Sequence, residues 1–209
     1  MYRGLIFASL VAGLSGCQSS SVPEVSSPPE SAAVVEEPAE RSWEVQLADV
    51  RAGTSSRIEL GTPITVEQWR ELATGCDHLM VLNLPRTTVD DSELSLLTSL
   101  VSLRQLVLGG AVGDAGMETI ADCPSLEIVN LPHATFTDTG LARLKQLPLL
   151  TLLRFGSPHV TDAGMEHLAG MPNLRFVHLI DVPITDAGLD SLKRVTLLES
   201  FYLDGSRCS

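Results

Sequence analysis

The sequence predicts an α/β fold: a right-handed solenoid with parallel strands on its concave face and short helices on its convex face. Three observations predict it. Six apolar hexads of the form L-x-x-Φ-x-Φ, with Φ apolar, begin at Leu79, Leu103, Leu126, Leu150, Leu174 and Leu198, spaced by 24, 23, 24, 24 and 24 residues. Between them runs a rhythm of helix-start signals: Val89-Asp90-Asp91, Val112-Gly113-Asp114, Phe136-Thr137-Asp138, Val160-Thr161-Asp162 and Ile184-Thr185-Asp186. Pro124, Pro148 and Pro172 then punctuate the return to the next hexad. A fixed period in this range belongs to stacked repeats, each of which buries its apolar face only against its neighbours.

The first expected element is a sorting signal, residues 1–16. Arg3 supplies positive charge, and the apolar run from Leu5 to Gly16 is shorter than the roughly 20 residues that a bilayer requires. The run ends Leu14-Ser15-Gly16-Cys17. These four residues resemble the bacterial lipobox, and the resemblance implies cleavage before Cys17 and its acylation. Several acyl chains on one residue anchor a protein stably, whereas one alone is marginal. Gln18 stands where an aspartate would retain such a protein in the inner membrane, which favours the outer one. Residues 17–41 read as a lipidated cysteine followed by a tether rich in Ser, Pro and Glu. Such a stretch buries too little surface to offset its chain entropy, and its prolines keep it partly extended.

Residues 42–78 read as an N-terminal cap over the open end of the stack. Trp43, Val45 and Leu47 alternate as a strand would. Ile58-Glu59-Leu60 resembles the end of a hexad, and Ile64-Thr65-Val66-Glu67-Gln68-Trp69 carries a hydrophobic staple and a capping box.

From 79 to 209 each unit reads strand, loop, short helix, turn, the last being partial from 198. Thr185 as N-cap accepts from a free backbone N–H, Asp186 sits at the positive end of the helix dipole, and Ile184 staples to Leu189. Asp90 and Glu93 form a second expected capping box. Gly116, Gly140, Gly164 and Gly188 recur in the first helical turn, where glycine is disfavoured by nearly ~1 kcal/mol. Close approach of stacked helices is one reason for them, and a backbone requirement is the other. Cys76 and Cys123 lie three residues before a hexad leucine, in register with Leu100, Leu147, Met171 and Val195, which predicts buried thiols. Two units apart, their Cα atoms lie roughly 10 Å or more apart, beyond the ~7 Å reach of a bridge. They are expected unpaired, leaving Cys208 as the exposed thiol. The chain as given stops soon after Leu203, so the last strand reads as an open edge. Pairing there with a second copy or another protein, with Cys208 as a lock, stands beside a frayed end shielded by Asp204 and Arg207.

The pattern T-D-A-G-L-x-x-L-x-x-L-P-x-L-x-x-L-x-L, carried by residues 79–203, resembles leucine-rich repeats. It is close to the cysteine-containing kind found in F-box partners and in many bacterial envelope proteins. With Cys17 it suggests a bacterial leucine-rich-repeat lipoprotein. The chain departs from that pattern where Thr87, Ala111, Ala134, Pro158 and Val182 replace the usual Asn or Cys, so an asparagine ladder is absent. No F-box precedes the repeats, so a ubiquitin role does not carry over.

Function is expected on the concave sheet. The third hexad positions are Val81, Gln105, Ile128, Leu152, Phe176 and Ser200; the fifth are Asn83, Val107, Asn130, Arg154, His178 and Tyr202. Both alternate outward from the core. Ile128, Leu152 and Phe176 form an apolar strip beside Asn130, Arg154, His178 and Tyr202, the composition of a protein-binding hot spot. These seven are the candidate binding residues for a protein or peptide partner. The plainer reading is a stiff face whose apolar residues serve strand propensity. A structural or assembly role through the C-terminal edge is the alternative function.

A formal charge of −12 without a Lys/Arg cluster argues against nucleic acid, whose binding rests on phosphate neutralisation. No cofactor, metal or catalytic residue is expected. His133, His178 and Asp181 make a weak metal candidate, and Ser157, His159 and Asp162 a weak catalytic one. The aspartates Asp114, Asp138, Asp162 and Asp186 are explained by their own helix starts rather than by calcium.

Overall fold

The computed structural model describes residues 41–205. The expected signal segment, Cys17, nearly all of the tether, Arg207 and Cys208 lie outside the described residues.

The chain begins with a correction. Trp43, Val45 and Leu47 do not form a strand; they belong to helix α1, Trp43–Arg51. Trp43, Gln46, Leu47 and Val50 are its buried residues, a helical spacing that the short alternation concealed. Val45 points outward. Gln46 justifies its buried amide by donating to the carbonyls of Arg41 and Glu59 and accepting from the Glu59 N–H, each bond 2.8 Å long. It thereby stitches α1 to strand β1, Arg57–Glu59. Helix α2, Val66–Glu71, starts with the expected capping box between Thr65 and Gln68. Trp69 is fully buried, and its indole N–H donates to the Glu93 carbonyl at 2.9 Å, tying α2 to the next unit.

The repeats then follow. Strands β2 (Val81–Leu84), β3 (Gln105–Leu108), β4 (Ile128–Leu131), β5 (Leu152–Phe155), β6 (Phe176–Ile180) and β7 (Ser200–Asp204) join β1 in one sheet. Its order is that of the sequence and every pairing is parallel. Helices α3 (Asp114–Ala121), α4 (Asp138–Arg143), α5 (Asp162–Met165) and α6 (Asp186–Leu192) fill the connections, with 3-10 turns extending α4 and α5. The unit between β2 and β3 is the exception, holding a 3-10 helix, Leu94–Ser99, instead of an α-helix. There the expected capping box is half made. Glu93 reaches back to the Asp90 N–H at 3.4 Å, but Asp90 Oδ1 accepts from the N–H of Ser92 rather than of Glu93.

The hexad leucines from Leu79 to Leu174, with their Φ partners, lie in one continuous buried core between sheet and helices. At the last unit Leu198, Phe201 and Leu203 pack on that core only in part. Cys76 and Cys123 are buried in the same layer, unbridged.

The aspartates that open α3, α4 and α5 reach beyond their own helices. Asp114 Oδ1 accepts from the N–H groups of Thr137 (2.8 Å) and Gly140 (3.0 Å), and Oδ2 accepts from the Thr137 hydroxyl at 2.8 Å. Asp138 makes the corresponding pair of bonds to Thr161, and Asp162 to Thr185. Asp91 bonds the Gly113 N–H alone, since glycine has no hydroxyl. Each Thr hydroxyl that donates to this carboxylate also accepts from the N–H two residues on, as Thr137 does from Thr139 at 3.2 Å. Asp114, Asp138 and Asp162 thus each stand in the first turn of their own helix, as expected, and in addition help to cap the helix of the following unit.

The recurrent glycines have the same cause. A Cβ at Gly140 would stand 2.5 Å from Asp114 Oδ1 and 2.9 Å from the Phe136 Cβ. Close approach is indeed required, but to a carboxylate of the previous unit. This Asp–Thr–Gly ladder provides a run of bonds between units in a chain without an asparagine ladder. In the loops after the strands, Ser157 donates to the Phe136 carbonyl at 2.6 Å and accepts from the His159 N–H.

Candidate functional site

Every candidate binding residue falls on the outward face of the sheet, in the register that the hexads predict. Ile128 pairs with Leu152 and Leu152 with Phe176; Asn130 pairs with Arg154, Arg154 with His178, and His178 with Tyr202. Their strand neighbours Val129, Leu153, Phe155, Val177 and Leu179 point the other way and are buried. Ile128 and Leu152 are half-buried, Phe176 is 38% exposed and Tyr202 63% exposed. In β3 the residue paired with Ile128 is Gln105, so the apolar strip begins at β4; Val107, which pairs with Asn130 in the neighbouring ladder, is buried at 8%.

The polar ladder is linked into one chain of contacts. Arg154 donates from Nη1 to Asn130 Oδ1 at 3.0 Å and from Nε to His178 Nδ1 at 3.2 Å. On its other side His178 Nε2 lies 2.7 Å from Asp204 Oδ2. These contacts fix the tautomer. A guanidinium N–H only donates, so Nδ1 must be the acceptor and Nε2 must carry the proton that goes to Asp204. The imidazole in this arrangement is neutral. Tyr202 leans on it, with ring centroids 5.7 Å apart and planes tilted by 48°. The result is a row across β4 to β7 in which Asn130, Arg154 and His178 hold one another's rotamers.

Sequence reasoning missed two parts of this surface. Asp204 was read as a shield for the chain end; its link to His178 depends on β6 and β7 each running one residue past the hexad, to Ile180 and Asp204. The second part is the edge where strands begin. Leu149 (47% exposed) and Leu197 (43% exposed) flank an open depression of about 380 Å³, lined also by Glu127, Thr151, Asn173 and Arg175. The signal was available: the residue before the hexad is leucine in these two units and His, Ser or Asn in the others. Thr151 and Arg175 immediately precede Leu152 and Phe176, so this edge adjoins the apolar strip.

The weaker candidates separate. Both nitrogens of His178 are engaged as above, which leaves none for a metal shared with His133 and Asp181. Asp181 has a left-handed backbone, φ 51°, and its N–H donates to the Asp204 carbonyl at 2.7 Å. Among the described residues no group of three or more His, Cys, Asp or Glu side chains could hold a metal ion. Ser157 is buried, with its hydroxyl spent on the Phe136 carbonyl. Burial, with Asp122 adding to it, raises the Cys123 thiol to about 11; burial also raises Cys76. Neither thiol is an activated nucleophile. Among the described residues no helix is long and apolar enough to cross a membrane.

No protein-family model and no curated protein matches the chain. Solved structures do. An internalin (inlF) from Listeria monocytogenes aligns with a TM-score of 0.50 at 18% identity, over 66% of this chain and 44% of its own. Internalin C2 of the same species aligns with a TM-score of 0.49 at 25% identity, over 64% of this chain and 54% of its own. The chain therefore spans about half the length of the internalins that it matches. The parallel seven-stranded sheet alternating with short helices, not closed into a barrel, is a leucine-rich-repeat solenoid.

Proposed function

We propose that this chain is a non-catalytic module that binds a protein or peptide through the outward face of its sheet, held at the cell envelope by acylation of Cys17. One observation carries the reading. The half-exposed strip Ile128, Leu152 and Phe176 runs in register beside the fixed row Asn130, Arg154 and His178. Strands spaced by about 4.8 Å present those side chains on a rigid support, so binding costs little side-chain entropy. Apolar anchors beside a hydrogen-bonded Arg and an exposed Tyr match the composition of interface hot spots. The internalin likeness supports the repeat fold alone. The anchor reading rests on Leu14-Ser15-Gly16-Cys17, and incorporation of a palmitate analogue that Cys17→Ala abolishes is its expected signature.

The testing variant is Phe176→Asp. It places a charge in the apolar strip without touching the core, because Phe176 already faces solvent. Capture of the partner from an envelope extract should fall at least about tenfold, which corresponds to ~1.4 kcal/mol, with the circular dichroism spectrum unchanged. Unaltered capture by a folded Phe176→Asp protein contradicts the reading. The second reading, assembly through β7, draws on Leu198, Phe201 and Leu203, which pack on the core only in part. Truncation at Leu197 should abolish self-association under that reading, whereas Phe176→Asp should leave self-association intact.

A further inference from the structure

Arg154 differs from the arginines around it. Arg57 pairs with Glu59 at 2.9 Å, Arg104 with Glu127 at 2.8 Å, Arg143 with Glu118 at 3.5 Å and Arg175 with Glu199 at 3.2 Å. Arg154, half-buried on the sheet, has no carboxylate partner among the described residues. Its two bonds go to the amide oxygen of Asn130 and to Nδ1 of His178, both neutral acceptors. Two of its five N–H donors are thereby used, and its charge is unmatched. The same two bonds hold the guanidinium plane in one orientation. A fixed planar fork with spare donors is suited to a carboxylate, and little entropy remains to be lost when one arrives. Ile128, Leu152 and Phe176 lie alongside and would exclude water from such a pair, strengthening it. Asp204, at the end of the same row, is taken up by His178 Nε2 and stands two strands from Arg154, about 10 Å away.

We propose that Arg154 receives the side-chain carboxylate of an acidic, apolar segment of a partner protein, an Asp or Glu flanked by residues that lie on Ile128, Leu152 and Phe176. The inference rests on the sheet-face reading and adds the partner's chemistry to it. The chain's charge of −12 repels an acidic partner at long range. At physiological ionic strength that repulsion decays over about 8 Å, so the unpaired cation decides at contact.

The experiment pans a phage library of random dodecapeptides against the full chain purified in mild detergent. The wild type should enrich peptides with Asp or Glu beside Leu, Ile or Phe. Synthesised as free peptides, these should lose about ten- to a hundredfold affinity for Arg154→Gln, the worth of a charged hydrogen-bonded contact. Replacing the peptide's acid by its amide should cost as much, and the two losses should not add. Panning against Arg154→Glu should shift enrichment to Lys and Arg. Enriched peptides with no acid in common, or affinity indifferent to Arg154→Gln, would overturn the proposal. If those peptides still depend on Phe176, the face binds but the carboxylate inference falls. If Phe176→Asp is also without effect, the sheet-face reading falls with it. A library that enriches nothing counts against any contact carried by one short segment.

Discussion

Replacing Asp114 by Ala should destabilise this solenoid through a helix to which Asp114 does not belong. Asp114 opens α3, yet its carboxylate accepts three bonds from the start of α4: Thr137 N–H, Thr137 O–H and Gly140 N–H, at 2.8, 2.8 and 3.0 Å. Hydrogen bonds to a charged group contribute about 1.5–3 kcal/mol each when sheltered. Asp114 is half-buried, and water can replace part of each bond, so roughly 1 kcal/mol apiece is the fitting figure, about 3 kcal/mol in all. Favourable placement of Asp114 on its own helix dipole contributes only about 0.3–1 kcal/mol. A double-mutant cycle with Thr137→Val separates the two, because the dipole contribution is indifferent to the Thr137 hydroxyl. Chemical denaturation of the four proteins should give a coupling of about 1–1.5 kcal/mol for the Asp114–Thr137 pair. A coupling below about 0.3 kcal/mol, within the scatter of additive sites, with a total Asp114→Ala loss no larger than the dipole figure, would refute the ladder and return each aspartate to its own helix.

The ladder also governs Gly140: Gly140→Ala should destabilise by about 1–3 kcal/mol in a thermal melt, despite the ~1 kcal/mol propensity gain of alanine, because its Cβ meets Asp114 Oδ1 and Phe136. Asp162 is held below its ordinary 3.8 by the Thr185 hydroxyl and N–H. Its contribution is therefore present above about pH 4 and lost as pH falls through the lowered value; Asp162→Asn should flatten the acid limb of a stability–pH curve there. Cys123, raised to about 11 by burial, should resist a disulfide reagent at pH 8 in the folded chain and react at once in denaturant. Nitrogen NMR should find His178 as the Nε2–H tautomer, and Arg154→Met should release that preference.

The strand register was fully legible, because a leucine recurring every 23 or 24 residues leaves one way to stack the units. Leu152 and Phe176 face outward as that register requires, while Leu153 and Phe155 are buried. The helix starts were legible as positions but not as bonds. A Thr-Asp pair reads locally as cap and dipole, whereas the carboxylate bonds of Asp114, Asp138 and Asp162 span 23 to 26 residues and emerge only once units stack. Trp43, Val45 and Leu47 misled because three alternating residues fit either period; Gln46 and Val50 decide for the helix once burial is known. The row from Asn130 to Asp204 was half legible. Asn130, Arg154 and His178 were foreseen as neighbours. Their mutual bonding, and the unpaired charge that it leaves on Arg154, depend on rotamers that no sequence pattern encodes.

The central claim is that the partner lies on the outward sheet. A photo-crosslinking phenylalanine analogue at position 176, compared with the same group at Glu118 on the exposed side of α3, tests it most directly. Irradiated in the cells that produce it, the chain should form a covalent adduct from position 176 and none from position 118. Adducts from 118 alone, with 176 silent, would contradict it.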